Sequence, residues 1–199
     1  MRRSKEETTE TIRKLISVAR THFNKYGYAD TALEAIVLEA DLTRGAVYHH
    51  FRNKKELFRI VLEDVQREVA ERVEREASTS EDVWQQLYLG CRAFIMAAVE
   101  EQRKRIMLID GPSILGWEVW REMDKKHSMR LLKGQLEIMQ NEGFFRNTPL
   151  DATTYFISGG LNELALWLAN ESEQLKASEE IMKMLTVFLE GFNQRTMHS

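Results

Sequence analysis

The chain has 199 residues, of which 43% are hydrophobic and 30% are charged. This length supports one large domain or two small ones, and there is no apolar run of the roughly 18 residues that a membrane span needs. A single cysteine, Cys91, excludes an internal disulfide and a cysteine-rich zinc site. The polar start lacks the apolar stretch of a secretory signal, so we expect a cytoplasmic protein. With two prolines and ten glycines, few positions break helices, which favours an all-α fold.

The formal net charge of −3 is unevenly distributed along the sequence. Residues 1–58 carry 11 Lys and Arg against 8 Asp and Glu, whereas residues 59–199 carry 17 against 23. A basic N-terminal segment on an acidic remainder fits contact with a polyanion at one end of the molecule. The bias is modest, so the case for such a partner depends on the motifs described next.

The first two helices are indicated by periodicity and by capping residues. Between residues 5 and 26 apolar side chains recur at steps of three and four, which predicts an amphipathic helix. Gly27 is expected to end this helix in a left-handed conformation. Thr31 is predicted to cap a second helix that reaches Ala40, because Glu34 follows at capping-box spacing.

A short third helix is predicted after a turn at Asp41 and Leu42. Thr43 can cap it, and it continues to Phe51. One face then exposes a concentration of hydrogen-bonding groups, namely Thr43, Arg44, Gly45, Tyr48 and His49. A helix of this size fits the major groove of DNA, where residues at its N-terminus meet base edges.

The segment from Ala40 to Phe58, ADLTRGAVYHHFRNKKELF, resembles the tetracycline-repressor (TetR) family of transcriptional regulators. The spacing of five further residues supports the resemblance: Ala19, Phe23, Gly27, Thr31 and Ile36. The resemblance implies a three-helix DNA-binding domain over residues 1–58, with its helix-turn-helix at about 32–51. It also implies a larger α-helical regulatory and dimerisation domain over residues 59–199. Asp41 stands where the family usually has glycine, and we expect it to adopt the left-handed conformation that aspartate tolerates.

The resemblance also implies which residues contact DNA. Thr43, Arg44, Gly45 and His49 fall on the recognition helix, while Thr31, Tyr48 and Lys54 occupy positions of phosphate contacts. Two alternatives stay open from the residues alone. Tyr48 can be a half-buried core aromatic, and His49 with His50 can be solvated surface or a metal pair. Because adjacent residues point to different sides of a helix, we expect no metal site.

The next part of the chain is predicted to contain three helices. A long helix is expected from Lys55 to about Glu76, followed by a polar break over residues 78–82 that supplies caps for another helix. Cys91 falls on the apolar face of that helix and is expected to be a small buried hydrophobe. Residues 110–116 interrupt the helical pattern, and a third helix is predicted from residue 117 to residue 141, closed by Gly143.

Large apolar side chains concentrate in the middle of the chain. They can line a cavity for a flat apolar effector, or they can fill a solid core. Asp110, Arg121 and His127 are the candidate polar anchors. The full set of predicted pocket residues is Trp84, Phe94, Met107, Asp110, Trp117, Trp120, Arg121, Met123, His127 and Phe144.

The last two predicted helices suggest self-association. Asp151 and Ser178 are expected to cap them, and each carries one apolar stripe. Two helices from each subunit can form a four-helix interface, and a two-fold dimer binds a palindromic DNA site. The predicted interface residues are Ile157, Leu161, Leu164, Leu168, Ile181, Leu185, Phe188 and Phe192.

The sequence thus predicts a homodimeric, ligand-responsive transcriptional regulator, most simply a repressor that a small apolar effector releases from a palindromic operator. No cofactor is implied. Two alternatives remain: a helical enzyme that uses Asp110, Glu122 and His127 for acid–base chemistry, or a helical interaction protein that binds DNA without reading sequence. The enzyme is disfavoured because no catalytic spacing is present.

Overall fold

The computed structural model describes residues 5–45, 51–145 and 148–191, with the backbone alone for residues 5–8. Within these ranges the chain forms helices and no strand, which confirms the all-α prediction. A π-helix covers Arg105–Asp110, and helical backbone also begins at Arg44. The α-helices are α1 (Lys5–Asp30), α2 (Leu33–Glu39), α3 (Lys54–Ala77), α4 (Val83–Ala98), α5 (Gly111–Leu115), α6 (Trp117–Lys126), α7 (Ser128–Asn141), α8 (Leu150–Asn170) and α9 (Gln174–Glu190).

The chain divides into two compact units. The head unit comprises Met1–Val65 and Glu101–Trp120, and the body unit comprises Gln66–Glu100 and Arg121–Ser199. This division differs from the contiguous one expected at Phe58. Helix α3 continues through Phe58 without a break, and residues 101–120 fold with the N-terminal segment.

The head unit packs around aromatic residues of α1 and α3. Phe23 and Phe58 are fully buried and meet edge to face with ring centroids 5.1 Å apart, and Tyr28 contacts both. Gly27 has the positive φ that was predicted, 78°, but it interrupts α1 rather than ending it, because α1 continues to Asp30. The Arg105 guanidinium occupies the space that a side chain at residue 27 would need. The expectation of a left-handed residue in the turn after α2 is confirmed, because Asp41 has φ 56°.

The capping residues predicted for α2 and α4 have different outcomes. The cap at Thr31 is wrong, because α2 has Ala32 at its N-cap and the Thr31 hydroxyl donates to the Gly27 carbonyl at 2.6 Å. Asp82 caps α4 by accepting from the Gln85 amide at 2.8 Å, as the polar break predicted. Asn53 accepts from the amide of the residue three positions on, an unforeseen cap at the start of α3.

The last two helices begin earlier than predicted. Helix α8 starts directly after Pro149, so Asp151 lies inside its first turn and its carboxylate pairs with Lys133 at 2.6 Å. Helix α9 starts at Gln174, and Ser178 lies inside it, where its hydroxyl donates to the Leu175 carbonyl. Both capping predictions are therefore wrong.

The predicted break over residues 110–116 is mostly helical. The π-helix continues into α5, and the break falls at Gly116, where φ is 89°. The predicted single helix from residue 117 to 141 is also wrong, because His127 leaves the helical region (φ −112°, ψ −104°) and separates α6 from α7. Gly143 closes α7 with φ 98°, as predicted.

In the body unit, α4 packs against α7, α8 and α9, and α8 packs against α7 and α9. Cys91 lies on the buried face of α4 at 3% exposure, and burial raises the pKa of its thiol to about 12. The thiol therefore stays protonated and packs as a small hydrophobe, as predicted. None of the described helices combines the length and apolarity required to cross a bilayer.

Candidate functional site

The predicted recognition helix begins on an exposed surface of the head unit. Thr43, Arg44 and Gly45 follow the turn after α2, and all three are exposed. The Arg44 guanidinium lies 3.2 Å from Glu34, but both side chains are more than 60% exposed, so water screens this ion pair. A Cβ added to Gly45 would meet nothing within 4 Å. The predicted contact residues Tyr48 and His49 lie outside the described residues.

Lys54 has a structural role that its predicted phosphate contact did not anticipate. Its ammonium donates to the carbonyls of Tyr28 at 2.8 Å and Thr31 at 2.9 Å, and the Ala29 carbonyl lies at 3.4 Å. The same ammonium lies 4.4 Å from the centroid of the Tyr28 ring. An ammonium has three donors, and the two shortest contacts use two of them at the end of α1. Lys54 therefore ties the start of α3 to the end of α1, a role that competes with its predicted phosphate contact, which stays a prediction.

The predicted phosphate contact of Thr31 also competes with hydrogen bonds inside the head unit. Thr31 is 2% exposed, and its hydroxyl points to the carbonyls of Gly27 and His22. A buried hydroxyl that already donates inside the protein cannot reach a phosphate without breaking that bond. Thr31 therefore stabilises the end of α1.

Four of the predicted pocket residues belong to the head unit. The Asp110 carboxylate accepts from the Tyr28 amide at 2.8 Å and lies 3.7 Å from Arg105. The Trp120 indole donates to the carbonyl of buried Met107 at 2.8 Å, and Trp117, 60% exposed, stacks on Trp120. The three apolar members therefore form part of the head's own packing, and Asp110 holds the segment that follows Gly27.

The body unit contains a cavity of about 230 Å³ between residues of α3, α4, α6, α7 and α8. Helix α4 contributes Gly90, where a Cβ would lie 3.6 Å from Val73 and 3.8 Å from Ala77, both of which also line the cavity. Glu74 and Ser78 form its exposed end. The buried apolar part of the wall includes Val73, Leu87, Cys91, Phe94, Met129 and Leu161.

Of the ten predicted pocket residues, Phe94 lines this cavity. Trp84 packs instead against Phe144 and Phe145, with ring centroids 5.2 and 5.5 Å apart. Met123 is 3% exposed in the interior of the body unit, and His127 lies at the break between α6 and α7. Most of the large side chains thus fill core space, which is the alternative that the sequence left open.

A buried polar cluster adjoins the cavity. Its carboxylate, Asp124, was not among the pocket residues predicted from the sequence. The Arg121 guanidinium lies 2.5 Å from the Asp124 carboxylate and donates to the Ser158 hydroxyl at 3.0 Å. Asp124 is 2% exposed, and both Asp124 and Ser158 line the cavity. Burial raises the pKa of Asp124, while Arg121 and hydrogen bonds from Ser158 and Asn162 act in the opposite direction. The spacing of three between Arg121 and Asp124, beside apolar Trp120 and Met123, is the sequence signal that indicates such a pair.

Most of the residues predicted to form the dimer interface are buried in the core of the body unit. Leu164 and Phe188 are half-buried, and Phe192 lies outside the described residues. The other five are at most 6% exposed: Ile157, Leu161, Leu168, Ile181 and Leu185. Side chains that fill the core of their own subunit are not available to a partner, so the predicted interface stripe is corrected.

A second apolar surface lies on exposed parts of the same two helices. We call it the α8–α9 face and define it by Phe156, Gly160, Trp167, Met184 and Val187. Phe156 is 65% and Val187 70% exposed. A Cβ added to Gly160 would meet nothing within 4 Å, so packing inside the subunit does not require a glycine there. The α8–α9 face is therefore exposed and apolar, and it carries no side chain at its glycine.

A helix-turn-helix head joined to an α-helical unit with an internal cavity is the architecture of a class of bacterial regulators. Residues 15–61 match the sequence model described as bacterial regulatory proteins, tetR family. Residues 84–192 match the model described as tetracyclin repressor-like, C-terminal domain. The chain belongs to the TetR family, which confirms the resemblance found in its sequence.

Individual relatives agree with this assignment. The crystal structure of a TetR-family transcriptional regulator from Pectobacterium atrosepticum superposes with a TM-score of 0.80 at 30% identity, covering 96% of this chain and 97% of that one. The probable HTH-type transcriptional regulator ArpR of Pseudomonas putida is 40% identical over 99 residues, which span 50% of this chain and 45% of ArpR. The HTH-type transcriptional regulator TtgR of Pseudomonas putida is 44% identical over 82 residues, which span 41% of this chain and 38% of TtgR. The chain therefore matches less than half the length of these two curated relatives.

Proposed function

We propose that the chain is a homodimeric repressor that binds a palindromic operator in the cytoplasm and is released by a small effector in the body cavity. The observation that carries the DNA-binding part is the exposed start of the helix after the α2 turn, where Thr43, Arg44 and Gly45 all lie on the surface. Membership of the TetR family supports the same role.

Arg44 is the proposed base-reading residue. Its guanidinium has a fork of donors that matches the two acceptors on a guanine edge, and its pairing with exposed Glu34 is weak enough to exchange. Gly45 permits close approach of the backbone. Thr43, Tyr48 and His49 remain proposed contacts, and Tyr48 keeps its proposed phosphate contact.

Selection of bound fragments from random DNA, followed by titration of the selected duplex, tests this proposal. We expect Arg44→Ala to weaken operator binding by about 1–3 kcal/mol and to relax preference at one base position. Arg92→Ala, which removes an exposed arginine of the body unit, is the matched control and should leave operator affinity unchanged. Unchanged affinity and preference in a folded Arg44→Ala variant would contradict the proposed reading mode.

The α8–α9 face is the proposed dimer interface. Glycine inside a helix costs roughly 1 kcal/mol relative to alanine, and Gly160 has no neighbour inside the subunit that explains it. Close approach of a partner helix supplies such a reason. Burial of Phe156 and Val187 against the same residues of a second copy would form an isologous four-helix interface.

Sedimentation of the full chain tests this interface. Because the Phe156 side chain is 65% exposed in the subunit, Phe156→Glu should leave the fold intact while placing a charge in the dimer contact. We expect a monomer that has lost most operator affinity. Ile138→Glu, at an exposed apolar position of α7, is the control and should remain dimeric. If the Phe156→Glu variant sediments as a dimer, the proposed interface at the α8–α9 face is wrong.

Release by an effector follows from linkage. A ligand weakens operator binding only as far as it binds the operator-free conformation more tightly than the bound one. The body cavity is the candidate for this ligand because it is concave, mostly apolar and supplied with a few polar groups.

A further inference from the structure

The cavity has a size and a polar end that restrict the chemistry of its occupant, if it is the effector site proposed above. Its volume of about 230 Å³ exceeds that of an engineered cavity of about 150 Å³ that binds benzene. The cavity can therefore hold an occupant larger than one unsubstituted ring, and two fused rings are a reasonable match. The apolar side chains that form most of the buried wall, such as Leu87, Phe94 and Leu161, suit an aromatic body.

The polar end of the cavity offers a hydrogen-bond acceptor. The Arg121 guanidinium and the Ser158 hydroxyl donate to the Asp124 carboxylate at 2.5 and 3.4 Å. A carboxylate accepts about four hydrogen bonds, so it can accept a further donor that enters from the cavity. Asp124 is 2% exposed and lines the cavity, and a donor placed there would bond an acceptor that water reaches poorly.

The charge at this end is balanced. The Asp124 carboxylate is paired with Arg121, whose side chain is 10% exposed, so a ligand cation would leave two positive charges against one negative charge away from water. A ligand anion would produce the opposite excess. Either excess costs several kcal/mol in a buried site. Glu74, the other carboxylate of the lining, is exposed, so solvent screens its attraction for a cation.

We propose that the cavity binds a neutral ligand of one or two rings, whose hydroxyl or N–H group donates a hydrogen bond to Asp124. Size, donor and neutrality each come from a separate observation: the cavity volume, the carboxylate acceptor and the balanced ion pair. This proposal rests on the effector cavity but specifies what that cavity selects.

Calorimetric titration of the full chain at neutral pH with four probes of similar shape tests the proposal: β-naphthol, β-methylnaphthalene, β-naphthoate and β-naphthylmethylammonium. We expect β-naphthol to bind at least about tenfold more tightly than each of the others, because a hydrogen bond to a charged acceptor has that worth. Equal or tighter binding of the hydrocarbon or of either ion overturns the proposal, as does the absence of measurable binding by β-naphthol.

Two variants locate the probe and the group that selects it. Gly90→Leu extends a side chain from the cavity wall and should abolish binding of β-naphthol, whereas Gly90→Ala keeps most of the volume and should retain it. The double variant Arg121→Met with Asp124→Leu replaces the ion pair by apolar groups and should bind β-naphthol no more tightly than β-methylnaphthalene. Unchanged β-naphthol binding by Gly90→Leu, or an unchanged preference in the folded double variant, overturns the proposal.

Operator release separates this proposal from the effector role itself. Each probe that binds is added to the complex with the selected operator. If the hydrocarbon or an ion binds the cavity best and releases the operator, the ligand chemistry proposed here is wrong and the effector cavity stands. If a probe occupies the cavity and the operator stays bound, the effector role fails, whichever probe binds best.

Discussion

The head and body units use their buried polar groups in different ways. In the head, Lys54, Thr31 and Asp110 bind backbone groups at the end of α1, at distances of 2.6–2.8 Å for their shortest bonds. In the body, Arg121 and Asp124 bind each other beside a cavity. The head therefore uses these polar side chains to fix the end of α1, and the body has a carboxylate beside a cavity. The difference suits a head that presents a fixed surface and a body that can accommodate a ligand.

Breaking the ion pair of the body unit should have the largest effect on stability. Asp124→Ala leaves the Arg121 guanidinium buried without its carboxylate, which costs about 3–5 kcal/mol. Urea unfolding followed by circular dichroism measures the loss. The double variant Arg121→Met with Asp124→Leu is the control and should recover most of it. A loss below 1 kcal/mol in the single variant, on the order of an exposed pair, would mean that the pair is solvated.

Breaking the polar contacts of the head should have a smaller effect. Lys54→Met keeps most of the side-chain length but removes the ammonium that donates to the Tyr28 and Thr31 carbonyls, so we expect a loss of about 1–3 kcal/mol. The salt dependence of operator binding should stay the same, since this ammonium is occupied inside the head. Lys55→Met, at the exposed neighbouring position, should cost under about 0.5 kcal/mol. If Lys54→Met lowers the salt dependence of operator binding and leaves the stability unchanged, the predicted phosphate contact of Lys54 is supported instead.

Filling a little of the body cavity should have the smallest effect and the opposite sign. Gly90→Ala replaces a glycine inside α4, and its Cβ would lie at ordinary contact distance from Val73 and Ala77. We expect a gain of about 0.5–1 kcal/mol from helix propensity, measured as a higher urea midpoint. A lower midpoint would show that the wall at Gly90 cannot accept one methyl group.

The sequence predicted features that depend on local chemistry. Gly27 and Asp41 have positive φ as expected, and Asp82 caps α4, because each depends on a few neighbouring residues. Thr31 fails as a cap although its spacing to Glu34 is suitable. Its hydroxyl instead donates to the carbonyl of Gly27, four residues earlier, and this bond competes with the cap that the spacing to Glu34 predicts.

The self-association surface shows a second limit. Helix α8 is apolar on two sides, with Ile157 and Leu161 on one and Phe156 and Trp167 on the other. Periodicity identifies both stripes but does not indicate which one faces the core of its own subunit. The adjacent glycines Gly159 and Gly160 were the available signal for the exposed stripe. Packing inside the subunit does not require a glycine at either position, because an added Cβ would meet nothing within 4 Å.

The cavity shows the third limit. Large aromatic residues were expected to line it, yet Trp84 and Trp120 fill core space, and part of the wall is formed by small residues such as Ala77 and Gly90. Space remains where side chains are small, and its position depends on how five helices meet. That arrangement is a property of the tertiary structure, so residue size in the sequence pointed to the wrong places.

The measurement that tests the account most directly is the fluorescence anisotropy of a labelled, selected operator duplex titrated with the full chain, with and without saturating β-naphthol. For the unaltered chain we predict that β-naphthol weakens operator binding about 5- to 150-fold, the usual range of allosteric coupling. For Gly90→Leu, whose cavity is filled, we predict the same operator affinity with and without β-naphthol. Release of the operator from both proteins alike, or from neither while calorimetry shows the cavity occupied, would contradict control of DNA binding by this cavity.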